Sequence, residues 1–134
     1  LAKSVTTLVA SEGASSLDDL ARTADFWNAQ AGGTGTNSKF VDQIHIDRDT
    51  GEIEITLNSD FVGLGTSANI IYLSPYIRTS ATASEKLVDA IDHGTSGAID
   101  WACSSATQNT ANDRGMLGAP IGSVPANLAP AECR

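Results

Sequence analysis

Gly97-Ala98-Ile99-Asp100-Trp101-Ala102-Cys103 and, at the far end, Val124-Pro125-Ala126-Asn127-Leu128-Ala129-Pro130-Ala131-Glu132-Cys133-Arg134 decide how this chain is read. The first stretch alternates: Ile99, Trp101 and Cys103 fall on one side of a strand, and Ala98, Asp100 and Ala102 on the other, so Cys103 starts on the core side. Cys103 and Cys133 are the only 2 cysteines, and their spacing lacks the repeated C-x-x-C of a zinc site. A structural disulfide in an exported protein is the favoured reading, with two free thiols the alternative. The tail from Ser104 to Arg134 has little periodicity and is punctuated by Gly115, Gly118, Pro120, Gly122, Pro125 and Pro130. Left open it would fray, whereas a disulfide closing a loop of this length contributes about 3.5 kcal/mol in the chain-entropy account.

Upstream of that strand the pattern changes twice. Leu1, Val5, Leu8 and Val9 recur at helical spacing until Gly13, and Ser16 then offers an N-cap to a second helix. Leu17, Leu20, Ala21, Ala24 and Trp27 share a face of that helix, which Gly32-Gly33 ends. Phe26-Trp27 reads as an anchor of this connection rather than a ligand platform. The loop through Ser38-Lys39 lacks the Gly before Lys that a phosphate-cradling loop requires.

From Phe40 the period is two. Ile44 and Ile46, then Ile53, Ile55 and Leu57, alternate with polar residues on either side of Asp47-Arg48-Asp49-Thr50-Gly51, a hairpin turn that lacks the ligand spacing of a calcium loop. After a turn at Gly63-Leu64-Gly65, residues 69–77 predict a third strand, with Pro75 marking its end or an edge position. Residues 84–91 read as a short helix stopped by Gly94, and 98–103 as the fourth strand. The order of elements is that of an α+β domain.

The 134 residues suit one domain. With 16 acidic against 8 scattered basic residues the net charge is -8, which disfavours generic nucleic-acid binding. No run approaches the roughly 20 apolar residues of a membrane span. His45 and His93 belong to no motif, Ser96 lacks the spacing of a nucleophile elbow, and Asp100 reads as a solvated strand aspartate rather than half of a glycosidase pair. No catalytic, metal or cofactor-binding residue is assigned. The inventory favours a structural or binding role.

The Asp-Trp-Ala-Cys strand and the Ala-Pro-Ala-Glu-Cys-Arg ending, with the striped N-terminal segment and Leu73-Ser74-Pro75-Tyr76, resemble a bacterial type IV pilin of the type IVa group. The resemblance implies a helix laid on a four-stranded antiparallel sheet with a C-terminal disulfide loop. Its divisions would be the second half of a long helix over 1–12, a helix-to-sheet connection over 13–39, the sheet over 40–103, and a loop over 103–133 closed by Cys103 and Cys133. It also implies an apolar helix ahead of Leu1 that holds the subunit in the inner membrane before assembly. The expected partners are other copies in a helical cell-surface fibre, the assembly machinery and a host-cell receptor, and the expected roles are adhesion, twitching motility and DNA uptake. A minor pilin or secretion pseudopilin is the near alternative. A secreted carbohydrate-binding module using Trp27, Tyr72, Tyr76 or Trp101 is the alternative of another class, with a small hydrolase behind it. The exposed Ser and Thr residues are candidates for O-linked sugars, since the chain has no N-x-S/T sequon.

Overall fold

A computed structural model describes residues 2–63 and 68–134. Helix α1 (Ala2–Leu8) runs into a wider π turn (Val9–Gly13), carrying Val5 and Val9 into the core while Lys3, Ser4 and Thr7 face outward. Leu1 of the expected stripe lies outside the described residues, and Leu8 is only half-buried. Gly13 is where the next helix crosses closely. A Cβ there would stand 3.3 Å from Leu20 Cδ1.

Helix α2 (Leu17–Asn28) starts where the Ser16 hydroxyl accepts a hydrogen bond from Asp19 N at 3.1 Å. Leu20, Ala24 and Trp27 are buried as their spacing predicts, but Leu17, one turn too early to reach the core, is 46% exposed. The helix also protects a sheet edge. Trp27 Nε1 donates to Ile44 O at 2.9 Å, Asn28 Nδ2 donates to Ile46 O at 2.8 Å, and Ile46 N donates back to Asn28 Oδ1 at 2.8 Å. Backbone groups that would otherwise be free on an edge strand are thereby satisfied.

The sheet is antiparallel throughout: β1 (Val41–Ile46), β2 (Ile53–Leu57), β3 (Ile70–Arg78), β4 (Ser84–Lys86) and β5 (Ile99–Ser104). The predicted hairpin joins β1 to β2. Asp47 Oδ1 accepts from Asp49 N and Thr50 N, and Gly51 takes φ 77°. A short helix, α3 (Ser59–Val62), follows β2, and the predicted turn at 63–65 lies partly outside the described residues.

One strand exceeds the expected four. Residues 84–86 pair with Tyr76, Ile77 and Arg78 as β4, and only then does a helix begin, α4 (Leu87–His93), closed by Gly94 at φ 70°. Ser84 therefore does not cap a helix; its hydroxyl donates to Gly115 O at 2.8 Å. Local helix propensity in 84–86 yields to a vacant length of β3 edge.

That vacancy also explains Pro75, which lies inside the central strand and not at its end. Asn69 O accepts from Leu57 N on the β2 side, whereas Ile70 O accepts from Ser123 N and Val124 N on the other. Backbone groups alternate sides, so odd-numbered residues of β3 face β2 and β4. β2 pairs up to Leu73 and β4 begins at Tyr76, leaving Pro75, which has no N–H, to face the gap between them. β5 occupies the opposite edge, with Leu73 opposite Cys103 and Pro75 opposite Trp101.

One sheet face, carrying Ile44, Ile46, Ile53, Ile55 and Ile77, packs under Val5, Val9, Leu20, Ala24, Trp27 and Leu87 to make the main core. Each such fully buried aliphatic side chain contributes about 1.5–3 kcal/mol of transfer free energy. No helix among the described residues is long and apolar enough to cross a membrane.

Candidate functional site: the disulfide-bonded loop

Cys103 and Cys133 are joined by a disulfide, with Cα atoms 4.4 Å apart. Cys103 leaves β5 on the helix side of the sheet, as the alternation predicts, since it stands opposite Leu73. The loop it opens straddles the β5 edge as two lobes.

The first lobe lies on the face away from the helices. Helix α5 (Asn109–Asp113) and the following turn bring Ala111, Met116 and Ala119 against Tyr76 and Ala102. Polar groups of the sheet then grip successive carbonyls. Arg78 Nη1 donates to Arg114 O, the Ser84 hydroxyl to Gly115 O, and the Tyr76 hydroxyl to Leu117 O at 2.6 Å. Burial pushes the Tyr76 phenol up to about 12, so it remains a donor. Arg78 is itself held by Asp100 Oδ2, at 3.0 Å from Nε and 2.9 Å from Nη2. Asp100 is thus a half-buried ion-pair partner and not the solvated aspartate that its alternating position suggests. Its other oxygen accepts from Trp101 N.

The second lobe extends the sheet beyond the end of β5. Ser123 N and Val124 N donate to Ile70 O, and Ile70 N donates to the Ser123 hydroxyl at 3.0 Å. Gly122 makes this approach possible, because a Cβ there would meet Ile70 O at 2.1 Å. Two 3-10 turns, Ala126–Leu128 and Ala131–Cys133, follow Pro125 and Pro130, whose fixed φ suits the start of a helical turn. They return the chain so that the Ser105 amide and hydroxyl both donate to Cys133 O, at 2.8 and 2.6 Å. Cys103, Cys133, Val124 and Ala129 form their own small core against Ile71 and Leu73.

A loop fixed in this way still turns apolar side chains outward: Leu117 is 64% exposed, Ile121 54% and Leu128 61%. Among the described residues no catalytic set is brought together. His45 Nε2 lies 2.6 Å from Gly33 O, while His93 Nδ1, at the end of α4, meets Glu85 Oε1 on β4. The Glu85 hydrogen bond, and then its charge, raise the His93 pKa above its ordinary value. Among the sequence-named aromatics Trp27 and Tyr76 are buried and hydrogen-bonded, and the Tyr72 hydroxyl donates to Glu54 at 2.6 Å. Phe26, by contrast, is 65% exposed and anchors nothing in the body. The Arg78, Ser84 and Tyr76 grip carries no sequence signature, because its acceptors are backbone carbonyls that any residue supplies.

Comparison with known proteins gives the arrangement its context. A family described as pilin, of bacterial filaments, matches residues 3–134. The chain is 41% identical to a type IV pilin of Pseudomonas aeruginosa strain Pa110594, known from a crystal structure, with a TM-score of 0.93. The match covers 99% of this chain and 90% of that one. A search of curated proteins finds no match.

Proposed function

The chain belongs to the pilin family, structural subunits of bacterial filaments and not enzymes, and from that premise we propose that it is the major subunit of a type IV pilus whose disulfide-bonded loop makes the fibre's contacts with surfaces. The observation that carries this reading is the pairing of a loop backbone held at 114–117, 122–124 and 128–134 with exposed Leu117, Ile121 and Leu128. A preorganised apolar surface meets a partner without a further ordering cost. Attachment through such a fibre, and twitching motility by its extension and retraction, follow for the assembled pilus. With a net charge of -8, any DNA contact during uptake falls to a minority basic patch or to another subunit.

The divisions that fit this role are a helical spine over 1–12, a connection over 13–39, a sheet over 40–103 and the contact loop over 103–133. The partners are copies of the chain, the assembly machinery and a host receptor. The fibre lies outside the cell, after an inner-membrane stage before assembly. A free-standing carbohydrate-binding module built on aromatic platforms is disfavoured, because Trp27 and Tyr76 are buried and Tyr72 and Trp101 half-buried.

Deleting the gene tests the assignment. Cells are expected to lose their pili and regain them with a restored copy; undiminished pili would defeat the major-subunit reading. A triple Leu117→Ser, Ile121→Ser, Leu128→Ser variant is expected to make normal pili with weakened attachment, and unchanged attachment would remove the loop from that role.

A further inference from the structure

The gap in the β3 edge that accommodates Pro75 opens on the surface as a cleft of about 260 Å³ between the β1–β2 turn and α4. Its polar groups are Thr50, Glu52, Ser74, Lys86 and Asp89, with Pro75 beneath them. Four of these side chains have uncommitted hydrogen-bonding capacity. Ser74, only 2% exposed, has a hydroxyl with no hydrogen-bond partner. Glu52 is half-buried, and burial, partly offset by Lys86, raises its carboxyl pKa. Among the described residues neither Glu52 nor Lys86 forms an ion pair through its side chain. Thr50 accepts from Glu52 N and keeps its own proton available. A buried orphan hydroxyl beside a half-desolvated carboxylate is unusual in a folded protein, where such groups find partners.

The charges narrow what would satisfy them. An anion would face two carboxylates, and a bare cation would face the Lys86 ammonium. A neutral ligand with several adjacent hydroxyls can donate to Glu52 and Asp89, accept from Lys86, and lay an apolar C–H face over Pro75 and Val88. We propose that this cleft, formed where β2 and β4 leave β3 unpaired, binds a neutral saccharide unit by hydrogen bonding to Glu52, Lys86, Asp89 and the hydroxyl at its floor. The site is separate from the disulfide-bonded loop and does not depend on the fibre assignment.

Titrating the uniformly ¹⁵N-labelled 134-residue chain with D-glucose, D-galactose and D-mannose, with glycine as a zwitterionic control, tests this. At least one sugar is expected to give saturable amide shifts confined to 50–52, 74–76 and 86–89, while glycine gives none. Glu52→Gln and Lys86→Met are each expected to weaken binding about tenfold, the loss of one charge-assisted hydrogen bond. An otherwise unchanged amide spectrum shows that the variants fold. Absence of saturable shifts with all three sugars, shifts that map elsewhere, matching shifts with glycine, or variants that bind normally would each overturn the proposal.

Discussion

At the scale of single residues, the loop is held by donors whose removal has unequal consequences. Tyr76→Phe deletes one neutral hydrogen bond to Leu117 O and should cost about 1 kcal/mol in urea unfolding. Arg78→Met removes the grip on Arg114 O and leaves the Asp100 carboxylate without its cation, so a larger loss of about 2–3 kcal/mol is expected, with faster amide exchange over 114–117. Equal losses for the two variants would contradict this ranking. His93 offers a check with a definite sign. Its pKa is raised in the folded protein by Glu85, so the pair's support is complete below the unfolded histidine value and fades as pH rises through the folded one. Proton NMR should place the His93 titration above its ordinary midpoint, and Glu85→Gln should bring it back. The pair is exposed on the histidine side, so the effect is expected in the titration rather than in global stability.

At the scale of elements, the strands and their turns were legible because local and tertiary demands agree. Ile44, Ile46, Ile53 and Ile55 alternate in sequence and all point into one core. Where a long-range partner overrides local preference, the sequence is silent. β4 forms because residues 84–86 find Tyr76, Ile77 and Arg78, and Pro75 is tolerated mid-strand because its neighbours on that edge stop short of it. Asp100 looked solvated because its partner Arg78 sits on another strand, and the loop's carbonyl acceptors have no side-chain identity at all. Two substitutions separate these demands. Pro75→Ala frees the unfolded chain and trims a buried ring, so it should cost about 1–3 kcal/mol while leaving the amide protection of Ser123 and Val124 intact. Gly122→Ala drives a Cβ into Ile70 O and should cost about 1–3 kcal/mol, with loss of amide protection at Ser123 and Val124. A tolerated Gly122→Ala would show that the second lobe does not seat on β3.

At the scale of the whole molecule, a main core under the helices and two small cores under the loop lobes divide the stability. The lobes should therefore respond differently to loss of the disulfide. Cys133→Ser is expected to lower stability by about 3.5 kcal/mol and to free 121–134 first, together with the Thr110 amide that donates to Arg134 O, while 112–116, seated on Tyr76 and Ala102, keeps its protection until global unfolding. Simultaneous release of both lobes in hydrogen exchange would show that they form one unit. The same division gives the filament reading its physical sense: a continuous core behind, and a separately braced surface in front. The most direct measurement is mass spectrometry of filaments sheared from the surface of the native cells, run with and without reductant. The account predicts that this chain is their predominant protein, with Cys103 and Cys133 recovered in one cross-linked peptide that reduction separates. Filaments composed of a different subunit, with this chain absent, would contradict it.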